Sequence, residues 1–534
     1  MNTIPPHISE SIRLRQLAHR HREAGDFAQA QAALEKSLRV LPNDAEASVE
    51  LADVLFLQGH LQASTLPLLA CLRHLPRNAP LIVNLVQHLV ARGEIVAARS
   101  CLDLLAQAPD PPAQLLVAQA QLRFGIGDIS LARDLAAKAI AKGADAPDDW
   151  HLYAMLLQFE GALDEANAVL QRCLQRWPDF GDAAMVLVNL RKQKPETQQL
   201  SYLETQCARL EDAQTSERKF VKAEFAYSRF KTLDDLGRYE EAWRALDQCN
   251  TLMAELNPYD AAAEEALTNA LIELPERLPT KATSVSSSGP TPIFIVGMPR
   301  SGTTLLDRML SSHSAITSAG EIIDFWRQLH WVADVVPARA RGLLSIIDKA
   351  ADLDYQQLGE RYLRQTQWRA QGKAFYIDKL PANIQMVAFI RRALPHAPIL
   401  HMAREPMDTC FSNFKAMFGN VSSYSYQFGS LAHYYRQYSR LVDAWHRQLP
   451  GAMIDVDYAS LVDDTAGTLG KVLEHCGLAM EEACLAPEKN AAPVATPSSA
   501  QVRESIHRRG IDQWRHYEAQ LEPLRLLLEA GSSR

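Results

Sequence analysis

No stretch of this chain approaches the continuous apolar length of a membrane span. Met1 to Glu10 lack the basic region and apolar core of a signal peptide, so the expected location is cytoplasmic. Cysteine is sparse and unpatterned. The eight residues are scattered singly without a C-x-x-C pair, which favours reduced core thiols over disulfides and gives no reason to expect a metal. There is also no excess of positive charge: a formal charge of −8 argues against a general nucleic-acid binder. What remains is ordinary globular composition, 47% apolar and 22% charged, in a chain of 534 residues that is too long for one core.

The first half repeats. Gly25, Gly59, Gly93, Gly127 and Gly161 are each separated by 34 residues, and five positions after each comes a small side chain: Ala30, Ser64, Ala98, Ala132 and Ala166. Pro42, Pro76 and Pro178 keep the same phase seventeen residues after a Gly. This is the period of the tetratricopeptide repeat (TPR), in which stacked helix pairs build a solenoid with a concave face. The register is lost between Lys192 and Ser216, then Gly237 and Ala242 restore it. The expected array therefore spans residues 1–278, about six repeats, and a Ser-rich linker follows over 279–291. Its concave face is expected to hold a peptide or protein acceptor or a partner; the alternative is a scaffold that packs only on its own second half.

A different chemistry begins at Pro292. The apolar run Pro292 to Val296 stops at Gly297, and Met298-Pro299-Arg300-Ser301-Gly302-Thr303-Thr304 leads into a helix-compatible segment. A strand, a loop and a helix in that order make an anion cradle at the start of an open parallel α/β sheet. The Gly-x-x-x-x-Gly spacing is that of a P-loop, but Thr303 stands where an NTPase has its Lys, which disfavours a magnesium–triphosphate ligand. Further strands are expected at Ala374 to Asp378, Ala397 to Ala403 and Ala452 to Asp455. Lys379, Arg404 and Tyr458 each follow one of them, at the strand ends where such sheets bind ligands.

From Pro292 to about Tyr517 these residues resemble the sulfotransferases, and among them the tyrosylprotein sulfotransferases and bacterial proteins that fuse TPR arrays to such a domain. The resemblance rests on Pro299 to Thr304, Gly320-Glu321, Lys379 with Pro381, Arg404 with Ser412, Tyr458, and Ser498 to Val502 followed by Trp514. It implies a P-loop-like α/β domain over 292–534 that uses 3′-phosphoadenosine 5′-phosphosulfate (PAPS) as sulfate donor, with no metal in the transfer. Arg300, Ser301, Gly302, Thr303 and Thr304 would cradle the 5′ end, while Arg404 and Ser412 would hold the 3′-phosphate. Tyr458, Gln501, Val502 and Arg503 would complete the donor site. Glu321 matches the catalytic base, and Lys379, Ser498 and Arg300 match groups that stabilise the transition state. Two positions depart from the family pattern: Ala416 and Gln513 stand where basic residues are expected, with Lys415 and Arg515 as their neighbours. His313 is a second candidate base, and the tyrosines from Tyr424 to Tyr438 are candidate acceptor-pocket residues. The implied acceptor is a protein or peptide tyrosine. The alternatives are a sugar, lipid or small-molecule hydroxyl, or an interaction protein whose nucleotide domain is inactive.

Overall fold

The computed structural model describes residues 5–279, 289–337, 342–496, 499 and 501–532. Among the described residues, fifteen helices, from Pro6–Glu23 to Ala261–Arg277, form the N-terminal half. The 34-residue period has a direct structural cause. Each repeat Gly lies at positive φ between two helices, from +75° at Gly25 to +97° at Gly59, and Gly237 continues the series at +73°. A side chain with a Cβ is disfavoured there, so the turn recurs with the glycine. The small residue five positions later is where the helices of a pair touch: Ala30, Ser64, Ala98, Ala132, Ala166 and Ala242 are all fully buried. Where the register fails, the chain still forms helices, at Leu200–Arg209 and Ser216–Asp235.

The second half is built on five parallel strands: β1 (Thr291–Gly297), β2 (Ile316–Ser318), β3 (Phe375–Lys379), β4 (Ile399–Ala403) and β5 (Ile454–Asp457), in the order β2-β3-β1-β4-β5. The three-residue β2 escaped the sequence reading. It is a short edge strand whose polar Thr317 and Ser318 carry no alternating signal. β1 is central and buried on both faces, as its continuous apolar run requires. Phe294 and Val296 pack on one side with Phe325, Tyr362 and Trp445, while Ile293 and Ile295 pack on the other with Leu306, Met309 and Leu473. From β1 the chain moves toward β2, and from β4 it moves the opposite way, so the crevice falls between the carboxyl ends of β1 and β4.

The two halves are joined by much more than the linker. Leu271 and Leu274, on the array's last helix, belong to the apolar core that covers one face of the sheet. The edge formed by the repeat turns docks along the second half. Gln62 N–H donates to Asp334 (2.8 Å), Gln328 donates to the Gly93 carbonyl (2.8 Å), and Arg369 donates to the Ile126 carbonyl (2.9 Å). Arg361 pairs with Glu94 at 2.6 Å with both side chains 8% exposed, and its guanidinium lies over the Trp331 ring. At the far end Asn250 donates to the Phe414 carbonyl, and Tyr517 donates to Asp234 at 2.6 Å.

Candidate functional site

The loop after β1 is held in an unusual backbone path. Arg300 has φ +66° and Gly302 +110°. The first is uncommon for a residue with a side chain and marks a loop that its surroundings hold in place. Asn413, on the helix Pro406–Phe414, supplies one restraint by donating to the Pro299 carbonyl at 2.7 Å. Gly302 is required by close approach as well as by φ: a Cβ there would sit 2.5 Å from the Tyr458 ring. The helix Thr303–Leu310 starts directly after it, so N–H groups without intrahelical acceptors face the loop. The hydroxyl of Ser301 is buried and has no hydrogen-bond partner among the described residues. A buried hydroxyl beside a helix start, with a half-buried arginine next to it, is a donor set suited to a phosphate or sulfate group.

Arg404 follows β4 across the crevice. It donates to the Arg300 carbonyl at 2.8 Å and to the Gly510 carbonyl, and its guanidinium lies 4.7 Å from the centre of the Tyr458 ring. Loop, Arg404, Tyr458 and the segment through Gly510 are therefore brought together. Ser412 is buried on the helix that begins two residues after Arg404. Burial lowers the Arg404 guanidinium from its ordinary value, partly offset by Tyr458, Asp408 and Glu405. Burial also lowers that of Arg300; Tyr227 and Glu321 oppose the shift, and Arg404 adds to it.

Glu321 and Lys379 come from different strand ends and form an ion pair. Lys379 closes β3 fully buried, with its backbone N–H donating to the Gly320 carbonyl, while Glu321 is exposed at the mouth. The arrangement places a carboxylate and an ammonium side by side, the carboxylate open to an incoming group. Asp307, one turn into the helix after the loop, was not singled out from sequence. Burial pushes its carboxyl up to about 6 against the pull of Lys379 and a 3.0 Å hydrogen bond from Ser318. An Asp inside an amphipathic helix carries no pattern that would have marked it.

One departure from the family pattern meets the neighbour of the other: Lys415, beside Ala416, donates to Gln513. Burial lowers the Lys415 ammonium to about 8, opposed by Asp234 of the array and assisted by Arg300, Lys231 and Arg404. Lys415 thus belongs to the same basic group as Arg300 and Arg404. The array contributes Tyr227, Lys231 and Asp234 to these surroundings, all from the helix Ser216–Asp235; Tyr227 also donates to Asn189 at 3.2 Å. Nothing in the 34-residue period could have pointed to this.

Other sequence candidates lie elsewhere. Arg503 donates to the Phe159 carbonyl and packs against Gly161 of the array, so its guanidinium is engaged away from the loop. Gln501 is exposed and Val502 buried beside it. Ser498 lies outside the described residues. His313 is buried, with its ring bonded to the Ala479 carbonyl and the Ala315 N–H, a packing role. Tyr424 and Tyr426 are core residues, Tyr424 stacking on Tyr434 at 3.6 Å.

The model of the sulfotransferase family matches residues 292–482, so the C-terminal half carries a domain of that family. An uncharacterized protein of Aquifex aeolicus (strain VF5) is 26% identical over 379 residues, 70% of this chain and 49% of that protein; the chain thus spans about half the length of this curated relative. Among solved structures, the sulfotransferase domain of the Synechococcus PCC 7002 olefin synthase is 21% identical, covering 44% of this chain and 91% of that domain, with a TM-score of 0.32. A tetratricopeptide repeat protein from Parabacteroides merdae ATCC 43184 is 17% identical, covering 46% of this chain and 93% of that one, with a TM-score of 0.31. The helical repeats of the N-terminal half precede the five-stranded parallel domain that this family model matches. No helix among the described residues is long and apolar enough to cross a membrane.

Proposed function

We propose that the protein transfers a sulfuryl group from PAPS to an acceptor hydroxyl, with a protein or peptide tyrosine as acceptor. The observation that carries this reading is the Glu321–Lys379 pair at the strand ends beside the β1 loop. In the reaction the acceptor oxygen forms a bond to sulfur as the bond from sulfur to the bridging oxygen of the nucleotide breaks. The acceptor proton goes to Glu321, since a phenol that ionises near pH ~10 is a weak nucleophile until a base takes its proton. Negative charge grows on the leaving oxygen, and Lys379 and Arg300 are the fixed cations that offset it there. Arg404, Ser412 and Tyr458 hold the 3′-phosphate side, with Lys415 in place of the missing basic residue at Ala416.

The tyrosine acceptor rests on the motif resemblance. The test has two arms. PAP, the product nucleotide 3′-phosphoadenosine 5′-phosphate, should raise the melting temperature, and ATP with magnesium should do so much less. Labelled PAPS should then mark a tyrosine in a host-lysate protein. Metal-dependent stabilisation by ATP equal to that by PAP would sink the reading, and label confined to sugars or lipids would replace the acceptor.

A further inference from the structure

We propose that the β4–β5 side of the sheet holds a divalent transition-metal ion, zinc-like in preference, on His401, His446 and Asp455. This departs from the expectation of no metal and does not rest on the sulfuryl-transfer reading. His401 on β4 stands opposite Asp455 on β5 in the strand register. The helix Phe428–Gln448 crosses this edge and brings His446 down onto the same carboxylate. His401 Nδ1 lies 2.7 Å from Asp455 Oδ1, and His446 Nε2 lies 3.0 Å from the same oxygen. One ligand atom from each residue falls within 4.8 Å of the other two. A tetrahedral ion with bonds of about 2.0–2.1 Å spaces its ligands roughly 3.3 Å apart, so small side-chain rotations close the set around one ion.

Three features favour an ion over a plain hydrogen-bonded trio. Two imidazole nitrogens converge on one carboxylate oxygen, so the three potential ligand atoms already gather around one point. The far nitrogen of His401 is held by the Tyr438 hydroxyl at 2.5 Å, the kind of outer partner that fixes the tautomer and orientation of a metal-bound histidine. His401 is buried and fixed, while the side chains of His446 and Asp455 are 38% and 49% exposed, giving entry and room for a water as fourth ligand. The neighbouring guanidinium groups are directed elsewhere: Arg440 donates to Gln437 and Asn269, and Arg447 donates to the Asp443 carbonyl. Two imidazoles and one carboxylate suit zinc, nickel or copper better than magnesium or calcium. The ion would tie β4, β5 and the crossing helix together without entering the transfer chemistry.

The experiment uses the full chain, stripped with a chelator. Calorimetric titration with Zn²⁺ should show one saturable site, Co²⁺ should give the visible absorption of a low-coordinate complex, and Zn²⁺ should raise the melting temperature while Mg²⁺ does not. His446→Ala, a change at an exposed position, should weaken Zn²⁺ binding at least tenfold and remove the Co²⁺ band; Asp455→Asn should do the same. Tyr438→Phe should weaken it roughly 10–100-fold through loss of the outer partner. Absence of a saturable site in the stripped protein, or Zn²⁺ binding and Co²⁺ absorption unchanged in His446→Ala, overturns the proposal.

Discussion

At the scale of single residues, two carboxylates near the β1 loop differ in environment and so in the variants that test them. Glu321 is exposed and paired with Lys379. Glu321→Gln keeps its shape and most of its hydrogen bonding but accepts no proton, so turnover should fall roughly 10²–10⁴-fold with PAP affinity little changed. Full turnover in a folded variant would remove Glu321 as base. Asp307 is buried, and burial pushes its carboxyl from its ordinary value near 3.8 up to about 6. A raised acid binds its proton more tightly folded than unfolded, so its contribution to stability is lost as pH rises between those values. Two pH units correspond to about 3 kcal/mol. Asp307→Asn should therefore be more stable relative to wild type at pH 7 than at pH 4, as measured by urea unfolding at both. Parallel stability curves would mean that Asp307 does not titrate in that range.

At the scale of elements, the loop after β1 shows how far the residue pattern reaches. Gly297, Arg300 and Gly302 were legible because a strand, a tight turn and a helix start demand those residue types in that order. Lys379, Arg404 and Tyr458 were legible because they follow strands, and the family pattern gave each a role. The Arg503 contact with Phe159 was not legible, because it depends on a docked array more than 300 residues earlier in the chain. The partnership of Lys415 with Gln513 was equally hidden: each was noted as a neighbour or a departure, and only folding brings them together. The loop also makes a sharp prediction. Gly302→Ala meets both a positive φ and the Tyr458 ring, so the loop, the Arg404–Tyr458 stack or both must shift. PAP binding should drop at least tenfold while far-ultraviolet circular dichroism stays near wild type. Unchanged PAP affinity would place the nucleotide away from this loop.

At the scale of the whole molecule, the question is whether the array is a tethered module or part of the catalytic body. The period and the Ser-rich stretch at 279–291 suggest separate units. The packing favours one body, because the array's last helix is built into the sheet's core and its turn edge carries buried polar pairs to the second half. The Glu94–Arg361 pair tests this directly. Burial lowers the Arg361 guanidinium from its ordinary value, and the Glu94 carboxylate beside it opposes that shift. Glu94→Ala strands the charge in a dry interface and should cost about 3–5 kcal/mol. Glu94→Ala combined with Arg361→Met removes the stranded charge and should recover most of that loss. In a one-body protein the chain unfolds in a single transition, and Glu94→Ala lowers the midpoint at which PAP binding disappears together with the midpoint for helix loss. An independent array would instead give two transitions, with Glu94→Ala leaving the PAP-binding midpoint where it was.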